Sequence, residues 1–145
     1  MDEMEQRVWQ RVLAQPEQVK GEDLYPVILS AREQAGAYRY LMEKVTGGNR
    51  ELLHKLHANQ ERTVDCLKGI RLLQGNPVKE KPMQTMKELT EKMMKKCYYR
   101  ACRAVEEYTS RSVCSEYGEV FRKLADRERE NCVMIAEVMG RLKNK

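Results

Sequence analysis

The sequence predicts an all-α fold, a four-helix bundle of two helical hairpins in series with a longer connection between them. Three observations carry this prediction. The chain of 145 residues holds only four prolines and eight glycines and is otherwise rich in Glu, Lys, Arg, Leu, Met and Ala, the residues that lose least on entering a helix. Apolar residues recur alternately four and three apart over long stretches, which is the spacing of a helix that buries one face. Turn-forming clusters divide these stretches at Gly47-Gly48, at Gly75-Asn76-Pro77 and again near Thr109 to Cys114. A chain of this length supports one domain with a real core, not two.

The elements follow in order. Residues 1–22 are read as an N-terminal amphipathic helix and linker, with Met4, Val8, Trp9, Val12 and Leu13 on one face and Pro16 as the stop. The bundle is assigned to residues 23–145. Asp23 caps its first helix and Pro26 sits in the first turn, where no N–H is missed. That helix carries Leu24, Ile28, Ala31, Ala35, Tyr38, Met42 and Val45 along its seam. Gly47-Gly48 ends it, and Asn49 caps the second, whose seam is Leu53, Leu56, Gln60, Thr63, Leu67 and Ile70. A Lys-rich, Pro-containing stretch through Pro82 is long enough to cross from one hairpin to the next. The third helix carries Met86, Thr90, Met93, Cys97, Ala101, Ala104 and Tyr108, and is expected to break near Thr109 to Cys114. Ser115 caps the fourth, with Tyr117, Phe121, Leu124, Glu128, Asn131, Ile135, Val138 and Leu142 facing inward.

Composition excludes several function classes. No apolar run approaches the roughly 18 to 20 residues that span a bilayer, and the acidic start Met1-Asp2-Glu3-Met4-Glu5 is not that of a signal peptide. A cytoplasmic protein is expected. The net charge of +5 is scattered among alternating acids and bases, the pattern of a solvated helical surface rather than of a nucleic-acid-binding face. Five cysteines, odd in number and without a C-x-x-C pair, argue against a zinc ribbon or a complete disulfide framework. There is no phosphate-binding glycine loop and no Gly-x-Ser-x-Gly elbow, and both histidines, His54 and His57, lie one turn apart on the same helix. With Glu61 and Asp65 they could form a surface metal cluster, although such spacing more often serves ion pairing.

Three segments resemble a known family. Ala31-Arg32-Glu33-Gln34-Ala35-Gly36-Ala37-Tyr38-Arg39-Tyr40-Leu41 is similar to the first bundle helix of rubrerythrin-type ferritin-like proteins. Leu56-His57-Ala58-Asn59-Gln60-Glu61 resembles their second, and Leu124-Ala125-Asp126-Arg127-Glu128-Arg129-Glu130-Asn131-Cys132 their fourth. The likeness covers roughly residues 24 to 142. It implies a bundle whose centre would hold two iron or manganese ions, with a carboxylate from each of two helices and a Glu-x-x-His pair from each of the other two.

Carried over position by position, most of those ligands are missing. The first-helix carboxylate falls on Ala31, and Glu33, two residues on, points away from the seam. The fourth-helix pair reads Glu128-x-x-Asn131. The second-helix pair reads Gln60-x-x-Thr63 by seam spacing or Glu61-x-x-Val64 by local similarity, with no histidine in either. The third-helix carboxylate falls on Cys97, which stands to Glu128 much as Ala31 stands to Gln60. Neutral side chains cannot balance two divalent ions.

The function expected is therefore a non-catalytic binding or structural module on a ferritin-like scaffold, with no cofactor, working as a homo-oligomer such as a dimer and able to take a protein partner. The alternative is an oxidoreductase or metal-storage protein that binds iron, manganese or zinc at an altered site around Glu128, Cys97 and Glu61. A third reading makes the vacated centre a pocket for a small molecule. The nine methionines, Met83, Met86, Met93 and Met94 among them, are read chiefly as core filling, with an adaptable partner surface as the other use.

Overall fold

Four helices, α1 (Tyr25–Met42), α2 (Gly47–Leu73), α3 (Thr90–Cys114) and α4 (Gly118–Lys143), make up the regular structure in a computed structural model that describes residues 23–76 and 88–143. The expected N-terminal helix, the linker before Asp23, and the seam position Met86 lie outside the described residues. No strand occurs among the described residues, and no helix there is long and apolar enough to cross a membrane.

Each helix packs on two neighbours: α1 on α2 and α3, and α4 on α3 and α2. Local contacts give the directions. Arg71, at the end of α2, bonds Asp23 just before α1 at 2.7 Å and lies over the Tyr25 ring. Asn59 of α2 meets Asn131 of α4 while Arg141 reaches Gly48, so these two helices are antiparallel. Gln34 and Glu33 meet Cys97 and Arg100, whereas Pro26 shares a cleft with Tyr108, so α1 and α3 are antiparallel as well. Helices α1 and α4 thus run one way and α2 and α3 the other. The end of α2 and the start of α3 consequently lie at opposite ends of the bundle.

The seam spacing explains the burial. Leu24, Ile28, Tyr38, Leu41, Leu53, Leu56, Leu67, Phe121, Leu124, Ile135 and Val138 are all essentially inaccessible. They form two apolar clusters, one at each end of the bundle. The first gathers Tyr38, Leu41, Leu53, Leu56, Met94 and Ile135, and the second Leu24, Ile28, Leu67, Tyr108, Phe121 and Leu124. Between them lies a layer of buried polar residues: Gln34, Gln60, Thr63, Glu128 and Asn131.

The helix ends depart from the sequence reading in two places. Helix α2 begins at Gly47, where φ is +62°, a conformation that suits glycine, and Asn49 is a buried first-turn residue, not the cap. Helix α3 does not break at Thr109 but runs on to Cys114. Ser and Thr are weak helix formers, yet here Arg111 pairs with Glu107 at 2.8 Å and the Ser112 hydroxyl donates to the Thr109 carbonyl at 2.6 Å. The two expected caps at Asp23 and Ser115 do bond nearby backbone: Asp23 accepts from Tyr25 N–H and Ser115 from Tyr117 N–H, each at 3.0 Å. The turn into α4 is tight enough that a β-carbon on Gly118 would stand 2.4 Å from the Ser112 carbonyl oxygen.

Candidate functional site

The polar layer is built from residues that the seam carries inward at the middle of each helix. Ala31, Gln60, Thr63, Cys97, Glu128 and Asn131 are each no more than 4% exposed. Glu61 is on the surface, where it pairs with His57 at 3.3 Å, and Glu33 is also at the surface, 3.8 Å from Arg100. On α2 it is therefore Gln60 and Thr63 that face the centre, and Glu61 contributes nothing to it.

One hydrogen-bonded chain runs through the layer. The Asn59 amide donates to Asn131 Oδ1 at 3.0 Å, and the Asn131 amide donates to Glu128 Oε1 at 3.1 Å. Arg127 approaches the Thr63 hydroxyl at 3.4 Å. On the opposite side, the Gln60 amide donates to the Ala31 carbonyl at 3.1 Å, and the Gln34 amide donates to the Cys97 carbonyl at 2.7 Å and the Tyr38 hydroxyl at 2.9 Å. Carbonyls only accept, so these contacts fix which end of each glutamine is nitrogen.

The same bonds leave three acceptors over. Glu128 Oε2, Gln60 Oε1 and Gln34 Oε1 are buried and have no partner. Burial without a full set of donors pushes the Glu128 carboxyl up to about 7, with Asn131 and then Arg127 acting only partly against it. Burial likewise pushes the Cys97 thiol up to about 12 and raises the Tyr38 hydroxyl, to which Glu128 and Cys97 add. Cys97 is a neutral thiol at ordinary pH and packs as a small apolar side chain.

Gln34, Gln60 and Glu128 all line one cleft of about 380 Å³ between α1 and α3. It exists because Ser30, Ala31 and Ala104 are too small to fill the gap at this helix pair. Arg100, Arg103 and Glu107 also border it. The pair of half-buried His57 and exposed Glu61 faces a different surface groove with Asp65, and His54 is exposed elsewhere on the same helix. No group of three or more His, Cys, Asp or Glu side chains that could hold a metal ion occurs among the described residues.

Gln34 is the residue that seam reading passed over, because on this helix that reading steps from Ala31 to Ala35 and Tyr38. Its signal was positional: it stands three residues after Ala31 and four before Tyr38, on the same face, and a buried tyrosine hydroxyl needs a partner.

Compared with known proteins, the chain matches no family model, no curated protein and no solved structure.

Proposed function

We propose that this chain is a ferritin-like, rubrerythrin-type bundle in which a neutral polar layer stands where a dimetal centre would be, and that it works as a non-catalytic binding or structural module. The antiparallel packing of α1 with α3 and of α2 with α4 is compatible with that scaffold. The observation that carries the functional reading is the composition of the central layer. Of the positions at which the resemblance calls for ligands, only Glu128 is a carboxylate, and its burial favours the protonated form. Two divalent ions held within a few ångströms of each other need several anionic oxygens. Ala31, Gln60, Thr63, Cys97 and Asn131 supply none.

Metal analysis of protein purified without chelators tests the reading. The expected result is substoichiometric iron, manganese and zinc, unchanged in Glu128→Ala. Two equivalents of metal per chain that disappear in that variant would refute it in favour of an altered-site oxidoreductase or storage protein. One equivalent of zinc lost in Cys97→Ser would refute it too.

A further inference from the structure

The unpartnered atoms of the central layer have a definite chemistry. Gln34 Oε1 and Gln60 Oε1 are acceptors, Glu128 Oε2 is a third when its carboxyl is ionised, and the residues that bear them are each no more than 3% exposed. Their amide nitrogens are already committed to the Ala31 and Cys97 carbonyls, so neither glutamine can turn over to offer a donor. A buried acceptor left without a donor is costly. Three together, beside one cleft, form a site complementary to donors.

Water can donate to these atoms, but an alkylammonium group brings three N–H donors together with a charge that suits the ionised carboxylate. The border of the cleft has the opposite character. Arg103 stands there, with Arg100 beside it 3.8 Å from Glu33, and Glu107 is turned to Arg111 by its 2.8 Å bond. A simple amine would have to seat beside these guanidiniums with nothing to offer them. A molecule with an ammonium at one end and a carboxylate at the other satisfies both regions. Small side chains, Ser30, Ala31 and Ala104, line the same cleft and suit an unbranched methylene chain between the two groups. The volume of about 380 Å³ lies at the lower end of the range for small-molecule sites.

We infer that the cleft between α1 and α3 binds an unbranched ω-amino acid, its ammonium group held by Gln34, Gln60 and Glu128 and its carboxylate by Arg100 and Arg103. The inference rests on the reading of this chain as a binding module, and gives that module a ligand class. It also assigns the glutamines of the layer a role that an apolar core would not need.

The test is calorimetric titration of the full chain with the linear series from β-alanine to 6-aminohexanoate, alongside n-butylamine and butyrate as the two half-ligands. Saturable one-to-one binding is expected, strongest at one chain length and about tenfold or more tighter than either half-ligand. Glu128→Gln removes the charged acceptor while keeping the shape, and is expected to weaken binding by about tenfold to a hundredfold. Arg103→Ala, at an exposed position, should leave the amine unaffected and erase the advantage of the amino acid over it. Melting curves confirm that both variants are folded. Absence of saturable binding across the series overturns the inference, as does binding that Glu128→Gln leaves intact or a preference for butyrate over butylamine. Metal content of the same preparation separates the two levels: metal-free protein that binds no amino acid defeats this inference alone, whereas a bound metal pair defeats the module reading beneath it.

Discussion

Replacing Glu128 by glutamine is expected to stabilise the protein, and to do so only above acidic pH. Glu128 is about 1% exposed, has one amide donor on Oε1 and none on Oε2, and its carboxyl is held at about 7 against an ordinary value of 4.5. The folded chain therefore keeps this proton more tightly than the unfolded chain. Between pH 4.5 and about 7 the folded state binds more protons, so the free energy of unfolding falls as pH rises through that window and levels off beyond it. A displacement from 4.5 to about 7 corresponds to about 3 kcal/mol at 25 °C. Glutamine has the shape of the protonated acid and loses none of this on going to high pH. Urea denaturation of ligand-free parent and variant, followed by far-ultraviolet circular dichroism, should show near-equal stability at about pH 4.5 and a variant more stable by about 3 kcal/mol at about pH 8. For a domain of this size that is a rise of about 10 °C in Tm. The comparison cancels every other titrating group shared by the two chains. A variant less stable than the parent at about pH 8 would refute the reasoning, because it would mean that the ionised carboxylate has a strong partner.

Three further outcomes follow from packing and covalent chemistry. Phe121→Ala should cost about 3 to 5 kcal/mol in urea denaturation, since this ring is wholly buried in one apolar cluster and lies 6.1 Å from the Tyr108 ring. Gly118→Ala should cost about 1 to 3 kcal/mol by the same assay, because its β-carbon would meet backbone and not a side chain that can swing aside. Cys102 and Cys132, on neighbouring helices with sulfurs 4.0 Å apart, should join on treatment with diamide, which takes up the two hydrogens. Peptide mapping should find a link between α3 and α4 that Cys132→Ser abolishes. The reaction should be slow at neutral pH, because burial and then the neighbouring Cys102 push the Cys132 thiol up to about 12.

Much of the bundle was legible in the sequence because burial on a helix repeats, and a repeat can be read without coordinates. The run Leu53, Leu56, Gln60, Thr63, Leu67 and Ile70 was placed inward by spacing alone, and all six are buried. The same logic separates Gln60 from Glu61, since one step along a helix turns a side chain by about 100°. What was not legible depends on particular bonds. Asn49 looked like a cap because asparagine often is one, but the helix starts at Gly47, with Thr46 at the cap position. The stretch from Thr109 to Cys114 looked like a break because its residues are weak helix formers, and a single ion pair with a serine back-bond is invisible to propensity. Gln34 was missed for a third reason. It is held inward by bonds to the Tyr38 hydroxyl and to the Cys97 carbonyl of α3, a property of two helices at once.

The belt of amides and the single carboxyl between the two greasy ends also fixes how far each rod can slide along its neighbours. Leucines at successive turns are interchangeable, so a bundle with a uniform interior could shift by one turn of about 5.4 Å and still bury its oil. Here such a slide would drag Gln60 and Glu128 into hydrocarbon and strand the Gln60 and Gln34 amides away from the Ala31 and Cys97 carbonyls. Alignment along the long axis is thus single-valued, and these polar groups act as an index pin whatever else they hold.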